Sequence, residues 1–220
     1  MTNSTLIDIH THQHLNNTKN FALFSQIHAN FIHAPYYSIG LHPWSVEKID
    51  LEDWKKHFLP YLAKSLAIGE VGLDKIKVIN FELQKSVFLY FLELAIEHKK
   101  PIIIHLVKAY EEMLTIFKHY QPTIPIIFHA YHAPTEFTKA MMNYQSYFSF
   151  GWRELNRKNC CLIADKKMIT KKFFLETDDG QQSIEECYLR ASQMLGLTID
   201  NIIEITQINF QEIFKNLMLP

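Results

Sequence analysis

The stretch LIDIHTHQHL, residues Leu6–Leu15, joins a short apolar run to three histidines spaced two residues apart. Side chains alternate along an extended strand, so the two isoleucines share one face while Asp8, His10 and His12 share the other. Two imidazoles about 7 Å apart that project the same way can converge on one divalent ion. The alternative is a half-exposed edge strand with incidental histidines, because short histidine spacings often occur without a metal.

Length and composition predict one folded domain over residues 1–220. The 220 residues suit a barrel of strands and helices near the lower end of its usual size. Hydrophobic residues make up 48% of the chain and charged residues 20%, without a biased tract, which is typical of a globular domain. The formal net charge of -1 provides no global positive field for a long duplex, so any nucleic acid must be bound locally.

The protein is expected to be cytoplasmic. Its first residues lack the basic start and apolar stretch of a secretory signal, and no apolar run reaches the length of a membrane span. Cys160, Cys161 and Cys187 form an odd set without a CxxC motif, which fits a reducing compartment. Neither a membrane contact nor an obligate protein partner is expected.

Short β-branched or aromatic runs alternate with segments whose apolar residues recur at spacings of three and four. This alternation predicts parallel strands joined by right-handed helical crossovers. Strands are expected in LIDIHTH, FALFSQIHA, YYSIGLHP, SLAIGEVGLD, PIIIHL, IPIIFHA, YFSFG and KFFLETDD. Helices are expected in SVEKIDLEDWKKHFLPYLAK, NFELQKSVFLYFLELAIEHKK, AYEEMLTIFKHY, APTEFTKAMMNYQ, RKNCCLIADKK, SIEECYLRASQML and TQINFQEIFKNLM.

Polar residues recur at or just beyond the carboxyl ends of the apolar runs. In a (β/α)8 barrel all of these ends meet on one face, where such enzymes build their sites. A doubly wound open sheet, the competing architecture, would spread the same residues along an edge. The residues are His10, His12, His42, Glu70, His105, His129 and Asp178.

Several blocks of the chain, taken in order, resemble the TatD-type metal-dependent deoxyribonucleases, a family of amidohydrolase-like barrels. The blocks are IDIHTH, SIGLHPW, AIGEVGLD, PIIIHLVKA, IIFHAYHA, FLETDD and TQINFQEIF. The resemblance implies an α/β fold with a TIM-like barrel and a site for two divalent ions, with Mg, Mn and Zn all compatible with the donors. The metal ligands that it implies are His10, His12, Glu70, His105, His129 and Asp178.

The resemblance also implies the chemistry. Glu70 would bridge the two ions, and Glu70 and Asp178 would be the catalytic residues. Two ions roughly 3.5 to 4 Å apart can hold the attacking and leaving oxygens of a phosphodiester. The implied reaction is cleavage of DNA by a metal-bound hydroxide, with Asp178 taking the proton of the attacking water. The near-neutral charge favours a strand end or a single strand as substrate.

The chain departs from the family at the expected substrate side. Val107 occupies the position of an arginine that can hold substrate phosphate, and Lys108 follows it; Lys108 is interpreted as a replacement cation or, alternatively, as a solvated lysine opening the next helix. His132 stands where a small serine is usual; it contacts phosphate, tunes a metal ligand, or narrows the pocket and excludes the usual substrate. His42 matches a family histidine near the substrate phosphate. We therefore assign substrate binding to His42, Lys108 and His132.

The segment between the first histidine pair and GLHP is short for the family. A loop of this size can barely recross a sheet at about 3.3 Å per residue, so the barrel is expected to be trimmed or irregular at its first βα crossover. Strand alternation also places Asp8 and Glu176 on the inward faces, below the metals. We hypothesise that Asp8 fixes the tautomer of a ligand histidine, with a structural pair to a buried base or water as the alternative. Trp44 or Trp152 at the mouth can stack an unpaired base or pack the barrel rim.

Two other functions stay open. One is a metal-dependent hydrolase of an amide, an ester or a small phosphate, because barrel scaffolds change substrates through their loops. The other is a non-catalytic, metal-stabilised protein that binds a partner, which a set of ligands with open coordination positions disfavours.

Overall fold

The computed structural model describes residues 5–13, 20–26, 34–77, 80–164, 166–215 and 217–219. Within them the strands are β1 (Ile7–Thr11), β2 (Phe21–Gln26), β3 (Tyr37–Ile39), β4 (Ala67–Asp74), β5 (Ile102–Val107), β6 (Ile126–Phe128), β7 (Ser146–Phe150) and β8 (Phe173–Leu175). The α-helices are α1 (Leu51–Phe58), α2 (Phe81–Glu97), α3 (Tyr110–Tyr120), α4 (Thr135–Met141), α5 (Trp152–Leu155), α6 (Cys161–Ala164), α7 (Lys166–Ile169), α8 (Ile184–Leu195) and α9 (Ile199–Ile213). Short 3₁₀ segments cover Pro43–Ser45 and Leu59–Lys64.

The strands pair in chain order from β1 to β8, and β8 pairs in parallel with β1, which is the strand order of a closed barrel. This confirms the predicted TIM-like α/β class. In the described part of the chain, no helix combines the length and apolar character that crossing a membrane requires. The described residues fall into two compact units, and the single domain over residues 1–220 stays a prediction.

One unit comprises Met1–Phe24, His129–Met142 and Ser146–Pro220. In it β1 pairs with β2 on one side and with β8 on the other, and β8 also pairs with β7. Two helices cover these strands: the Tyr188 hydroxyl of α8 hydrogen-bonds to the backbone of Ile7, and the ring centroid of Phe210 in α9 lies 4.6 Å from that of Phe21. Because β1 and β8 are neighbours, the residues that follow their carboxyl ends lie side by side.

The other unit comprises Ser25–Phe128 and Asn143–Gln145. In it β3, β4, β5 and β6 pair in parallel and in that order. Gly72 of β4 lies opposite His105 of β5 with a φ of +156°, and a Cβ at this glycine would overlap the His105 carbonyl oxygen. The close approach of the two strands, which sets Glu70 and Asp74 beside His105, therefore requires glycine at this position.

Some helices differ from the sequence-based expectation. The helix expected over residues 45–64 is reduced to α1, because Asp50 caps its N-terminus and Pro60 has no N–H to continue the α-helical pattern. The helix expected over residues 157–167 is replaced by the short helices α6 and α7, which follow an unexpected α5. The last helix, α9, begins earlier than expected because the Thr198 side chain caps it.

The first crossover connects β1 to β2 through residues 12–20. Residues 14–19 lie outside the described residues, so the predicted irregularity of this crossover is mostly outside them as well. Residues 12, 13 and 20, which are described, are not helical.

Candidate metal centre

A first group of donors lies in the unit that contains β1 and β8. His10 belongs to β1, His129 follows β6 and Asp178 follows β8; one donor atom from each lies within 4.8 Å of the others. The His10 and His129 ring centroids are 4.5 Å apart, and His10 Nε2 lies 3.6 Å from Asp178 Oδ1. Two imidazoles and one carboxylate at this spacing form a donor set that suits a divalent ion.

His12 lies at the edge of this first group. Its Nε2 is 3.4 Å from Asp178 Oδ1, and its ring stands perpendicular to that of His10 with the centroids 5.0 Å apart. Its side chain is 22% exposed, whereas that of His10 is completely buried. The structure thus brings together four of the six expected ligands in this unit.

The backbone holds Asp178 against β1. The Asp178 N–H donates to the His10 carbonyl at 3.0 Å, and the His12 N–H donates to the Asp178 carbonyl at 3.0 Å. The preceding residue, Thr177, donates its N–H at 3.0 Å and its hydroxyl at 2.7 Å to the carboxylate of Asp8. Asp8 therefore positions the segment that carries Asp178.

This arrangement corrects the expectation for Asp8. Its hydrogen bonds in the described part of the chain go to Thr177 and to the backbone of His10, so the hypothesis that it fixes the tautomer of a ligand histidine is wrong. The register between β1 and β2 shifts between Asp8 and Thr11, which breaks the alternation on which the hypothesis depended. Complete burial raises the pKa of Asp8 to about 8.

Glu176 is the carboxylate beside His129. Its Oε1 lies 3.7 Å from His129 Nδ1 and accepts a hydrogen bond from the Ala130 N–H at 2.6 Å. Its Oε2 is buried and has no hydrogen-bond partner among the described residues. Glu154 lies nearby, and burial together with the charge of Glu176 raises the pKa of Glu154 to about 6.

A second group of donors, in the unit that contains β3 to β6, consists of His42, Glu70 and His105, again with donor atoms within 4.8 Å of one another. The buried Glu70 lies between the two rings: its Oε1 is 3.0 Å from His42 Nε2 and 2.9 Å from His105 Nδ1. Glu70 and His105 are the other two expected ligands.

The hydrogen bonds of His42 indicate which nitrogen carries its proton. His42 Nδ1 accepts the backbone N–H of Trp44 at 3.1 Å, so in the neutral ring the proton is on Nε2, which faces Glu70. His42 is then a hydrogen-bond donor to Glu70 rather than a metal ligand. Its predicted contact with substrate phosphate stays a prediction.

Asp74 is the functional residue that the sequence analysis missed. Its Oδ2 lies 3.3 Å from His105 Nε2 and accepts the Trp44 Nε1–H at 2.7 Å, and its Oδ1 accepts the backbone N–H groups of Ile76 and Lys77. Burial alone would raise the pKa of Asp74. The hydrogen bonds from His105 and Trp44 outweigh burial and hold this pKa well below its usual range. An ionised Asp74 accepts a hydrogen bond from the Nε2–H of neutral His105, which leaves Nδ1, the nitrogen beside Glu70, with the lone pair that could bind a metal ion. The sequence could have indicated Asp74, because it lies an even number of residues after Glu70 in the same strand.

The structure places the other two expected substrate-binding residues outside these groups. Lys108 is exposed, follows the last residue of β5 with a φ of 57°, and forms no ion pair with a carboxylate in the described part of the chain. His132 lies in the first unit, with its Nδ1 3.8 Å from Cys161 Sγ. Their contacts with substrate stay predictions.

Comparisons with known proteins agree with this donor chemistry. Residues 7–217 match the family model described as TatD related DNase. The chain is similar to the uncharacterized metal-dependent hydrolase YabD of Bacillus subtilis, with 26% identity over 200 residues covering 82% of this chain and 77% of that protein. It is also similar to a putative deoxyribonuclease TATDN1 homolog of Enterocytozoon bieneusi, with 24% identity over 204 residues covering 93% and 72%.

A solved structure has the same fold. The crystal structure of YjjV, a TatD homolog from Escherichia coli K12, superposes with a TM-score of 0.80 at 18% identity and covers 98% of this chain and 100% of that chain. The family match over nearly the whole length shows that the chain belongs to the TatD-related family of metal-dependent hydrolases.

Proposed function

We propose that the protein is a nuclease that cleaves phosphodiester bonds in DNA with two divalent ions. The observation that supports this most directly is the presence of two mixed imidazole and carboxylate groups, one in each compact unit. Mixed nitrogen and oxygen donors fit Zn or Mn well and also admit Mg. The Enterocytozoon relative, described as a putative deoxyribonuclease homolog, points to the same reaction.

Each donor group would hold one of the two ions. His10, His12, His129 and Asp178 would hold one ion, and Glu70 with His105 would hold the other. When bound, such ions lower the pKa of water and neutralise the charge of the phosphate. A bridging role of Glu70 stays a prediction. It can be tested by measuring the metal content and the magnetic coupling of bound Mn(II).

Asp178 is suited to receive a proton. Its side chain is 28% exposed, whereas that of Glu70 is only 2% exposed, so solvent reaches the Asp178 carboxylate more easily. The two backbone hydrogen bonds to His10 and His12 fix its position. We therefore assign Asp178 the proton of the attacking water.

Two neighbouring residues would orient these ligands. His42 donates to Glu70 and restrains that carboxylate, and Asp74 restrains the ring of His105. Loss of such a partner costs metal affinity rather than removing a ligand.

We propose a single strand or a strand end as the substrate, and a cytoplasmic location. A net charge of -1 supports local recognition over the binding of a long duplex. A second candidate, hydrolysis of an amide, an ester or a small phosphate, is favoured by Val107, which replaces the family's arginine at the last position of β5.

The test is a cleavage assay with purified protein on end-labelled single-stranded and duplex DNA, beside generic ester and phosphate substrates. Each reaction contains one divalent ion or a chelator. We expect DNA cleavage that requires metal and is lost in Glu70→Ala and Asp178→Ala. Glu136→Ala is the matched control, because Glu136 is 82% exposed and pairs only with Lys139 in the described chain.

The other outcomes are distinct. DNA cleavage that survives both alanine variants would refute the assignment of these residues. Hydrolysis of small substrates with DNA untouched would favour the second candidate. Inertness towards every substrate and ion would contradict both hydrolase proposals.

A further inference from the structure

Trp44 presents an exposed aromatic ring beside the second donor group. Its side chain is 44% exposed, although large apolar side chains are usually buried. The indole is nevertheless held in place, because Nε1 donates to Asp74 Oδ2 at 2.7 Å and the ring centroid lies 4.8 Å from that of His42 and 5.7 Å from that of His105. A fixed, solvent-exposed ring next to metal-ligating side chains is a surface suited to binding a planar group.

Lys77 adds a cation to this surface. Its Nζ lies 3.8 Å from the centroid of the Trp44 ring, and its backbone N–H donates to the carboxylate of Asp74. No carboxylate in the described chain lies within 4.0 Å of its ammonium group, whereas Lys75 pairs with Glu112 at 2.6 Å. The ammonium of Lys77 is thus available to an anionic ligand, and that of Lys75 is already neutralised.

We infer that Trp44 and Lys77 recognise one nucleotide of single-stranded DNA, with the base on the indole and the adjoining phosphate on the ammonium. This inference rests on the proposed function and names the form of its substrate. Aromatic faces combined with cations bind unpaired bases with little sequence preference. A duplex conceals the faces of its bases, so the pair selects single strands.

The position of Lys77 fits this role. Its side chain is flexible, so the ammonium can move from the ring to a phosphate while the base takes the ring face.

Binding can be measured separately from cleavage. We would record the fluorescence anisotropy of a labelled thymidylate octamer and of an abasic octamer with the same phosphates, in EDTA and at several salt concentrations. The variants are Trp44→Leu, Trp44→Phe and Lys77→Gln. Lys75→Gln is the matched control. It removes a positive charge from the same loop, but Glu112 already neutralises that charge.

The two side chains predict different patterns. Trp44→Leu should weaken binding of the thymidylate octamer about tenfold and leave the abasic octamer nearly unchanged, because only the base stacks. Trp44→Phe should retain most of the affinity, since it keeps a ring while losing the hydrogen bond to Asp74. Lys77→Gln should weaken both octamers and reduce the salt slope of log K by about 0.7, as expected for one lost phosphate contact, whereas Lys75→Gln should leave the slope unchanged.

Three results would overturn the inference. They are wild-type protein that binds neither octamer, Trp44→Leu that binds thymidylate as wild type does, and equal salt slopes for the two lysine variants. Circular dichroism confirms folding, and Lys77→Gln decides the matter should Trp44→Leu not fold, because Lys77 is exposed.

Failure of this inference and failure of the proposed function are distinguishable. Normal discrimination between the octamers without any DNA cleavage would refute only the nuclease proposal. Metal-dependent cleavage with unchanged binding by every variant would refute only the role of Trp44 and Lys77.

Discussion

Replacing Asp74 by asparagine should weaken both the fold and metal binding. The carboxylate of Asp74 faces four donors: Oδ2 faces Trp44 Nε1 and His105 Nε2, and Oδ1 accepts from the N–H groups of Ile76 and Lys77. Asparagine offers a single acceptor oxygen, so its amide group must face one of the two pairs of donors. Either orientation places donors against donors.

The size of the effect follows from the number of donors left without an acceptor. A buried donor that loses its partner costs about 1 to 3 kcal/mol, and two donors lose theirs here. Asp74 is only 2% exposed, so water replaces the lost acceptor poorly. We expect a loss of about 2 to 6 kcal/mol in the free energy of unfolding. The affinity for metal should fall about 10- to 100-fold, because the ring of His105 loses its orienting partner.

Urea unfolding without metal and competition with a chromophoric chelator measure the two effects separately. Asp50→Asn is the matched control: its Oδ1 also accepts two backbone N–H groups, but asparagine caps a helix as well as aspartate does. The control should change stability by no more than about 0.5 kcal/mol. Asp74→Asn with wild-type stability and wild-type metal affinity would refute the argument that Asp74 orients His105.

Three further changes test other parts of the structure by urea unfolding of the metal-free protein. Burial and a neighbouring carboxylate raise the pKa of Glu154 to about 6, so ionisation of Glu154 opposes folding as the pH rises. Glu154→Gln should therefore match wild type in stability at pH 4 and be more stable than wild type by about 2 kcal/mol at pH 8. A stability difference between variant and wild type that is the same at pH 4 and pH 8 would contradict this. Gly72→Ala should lower the free energy of unfolding by more than about 3 kcal/mol, because the new Cβ overlaps a backbone carbonyl. Gly196→Ala should lower it by only about 1 kcal/mol, because Gly196 has a φ of +66° but no atom lies within 4 Å of the new Cβ. Equal losses in the two variants would refute the steric explanation. Thr177→Val removes the hydroxyl that donates to Asp8 and should cost about 1 to 3 kcal/mol and weaken metal binding, and unaltered chelator competition would show that this contact does not position the metal site.

The barrel could be predicted from the sequence because each long element carries its own periodic signal. The strands are short β-branched runs, and α2, with seventeen residues, is long enough to show a recurring apolar face. Helices α5, α6 and α7 have four residues each, about one turn, which is too short to establish a period. Local caps decided the remaining boundaries, since the Thr198 side chain starts α9 ahead of the apolar pattern that predicted it.

The donor residues could be predicted because they follow strand ends in a recognisable order. The structure brings His10, His12, His129 and Asp178 together in one unit and sets Glu70 beside His105 in the other. The partners of these donors were harder to predict. The role of His42 depends on a tight turn in which its ring accepts the Trp44 N–H, and a residue pattern does not specify that geometry.

Asp8 and Asp74 show how strand alternation succeeds and fails as a guide to such partners. Both are buried acids at even spacing from an expected metal ligand, yet of the two only Asp74 hydrogen-bonds to an imidazole, whereas the Asp8 carboxylate accepts from Thr177. Asp8 instead holds the Thr177 backbone and thereby the position of Asp178. Each compact unit thus contains a carboxylate outside its donor group that fixes one member of that group. Donors that are restrained in this way need little rearrangement to bind an ion. The two buried acids therefore favour metal binding although neither belongs to a donor group.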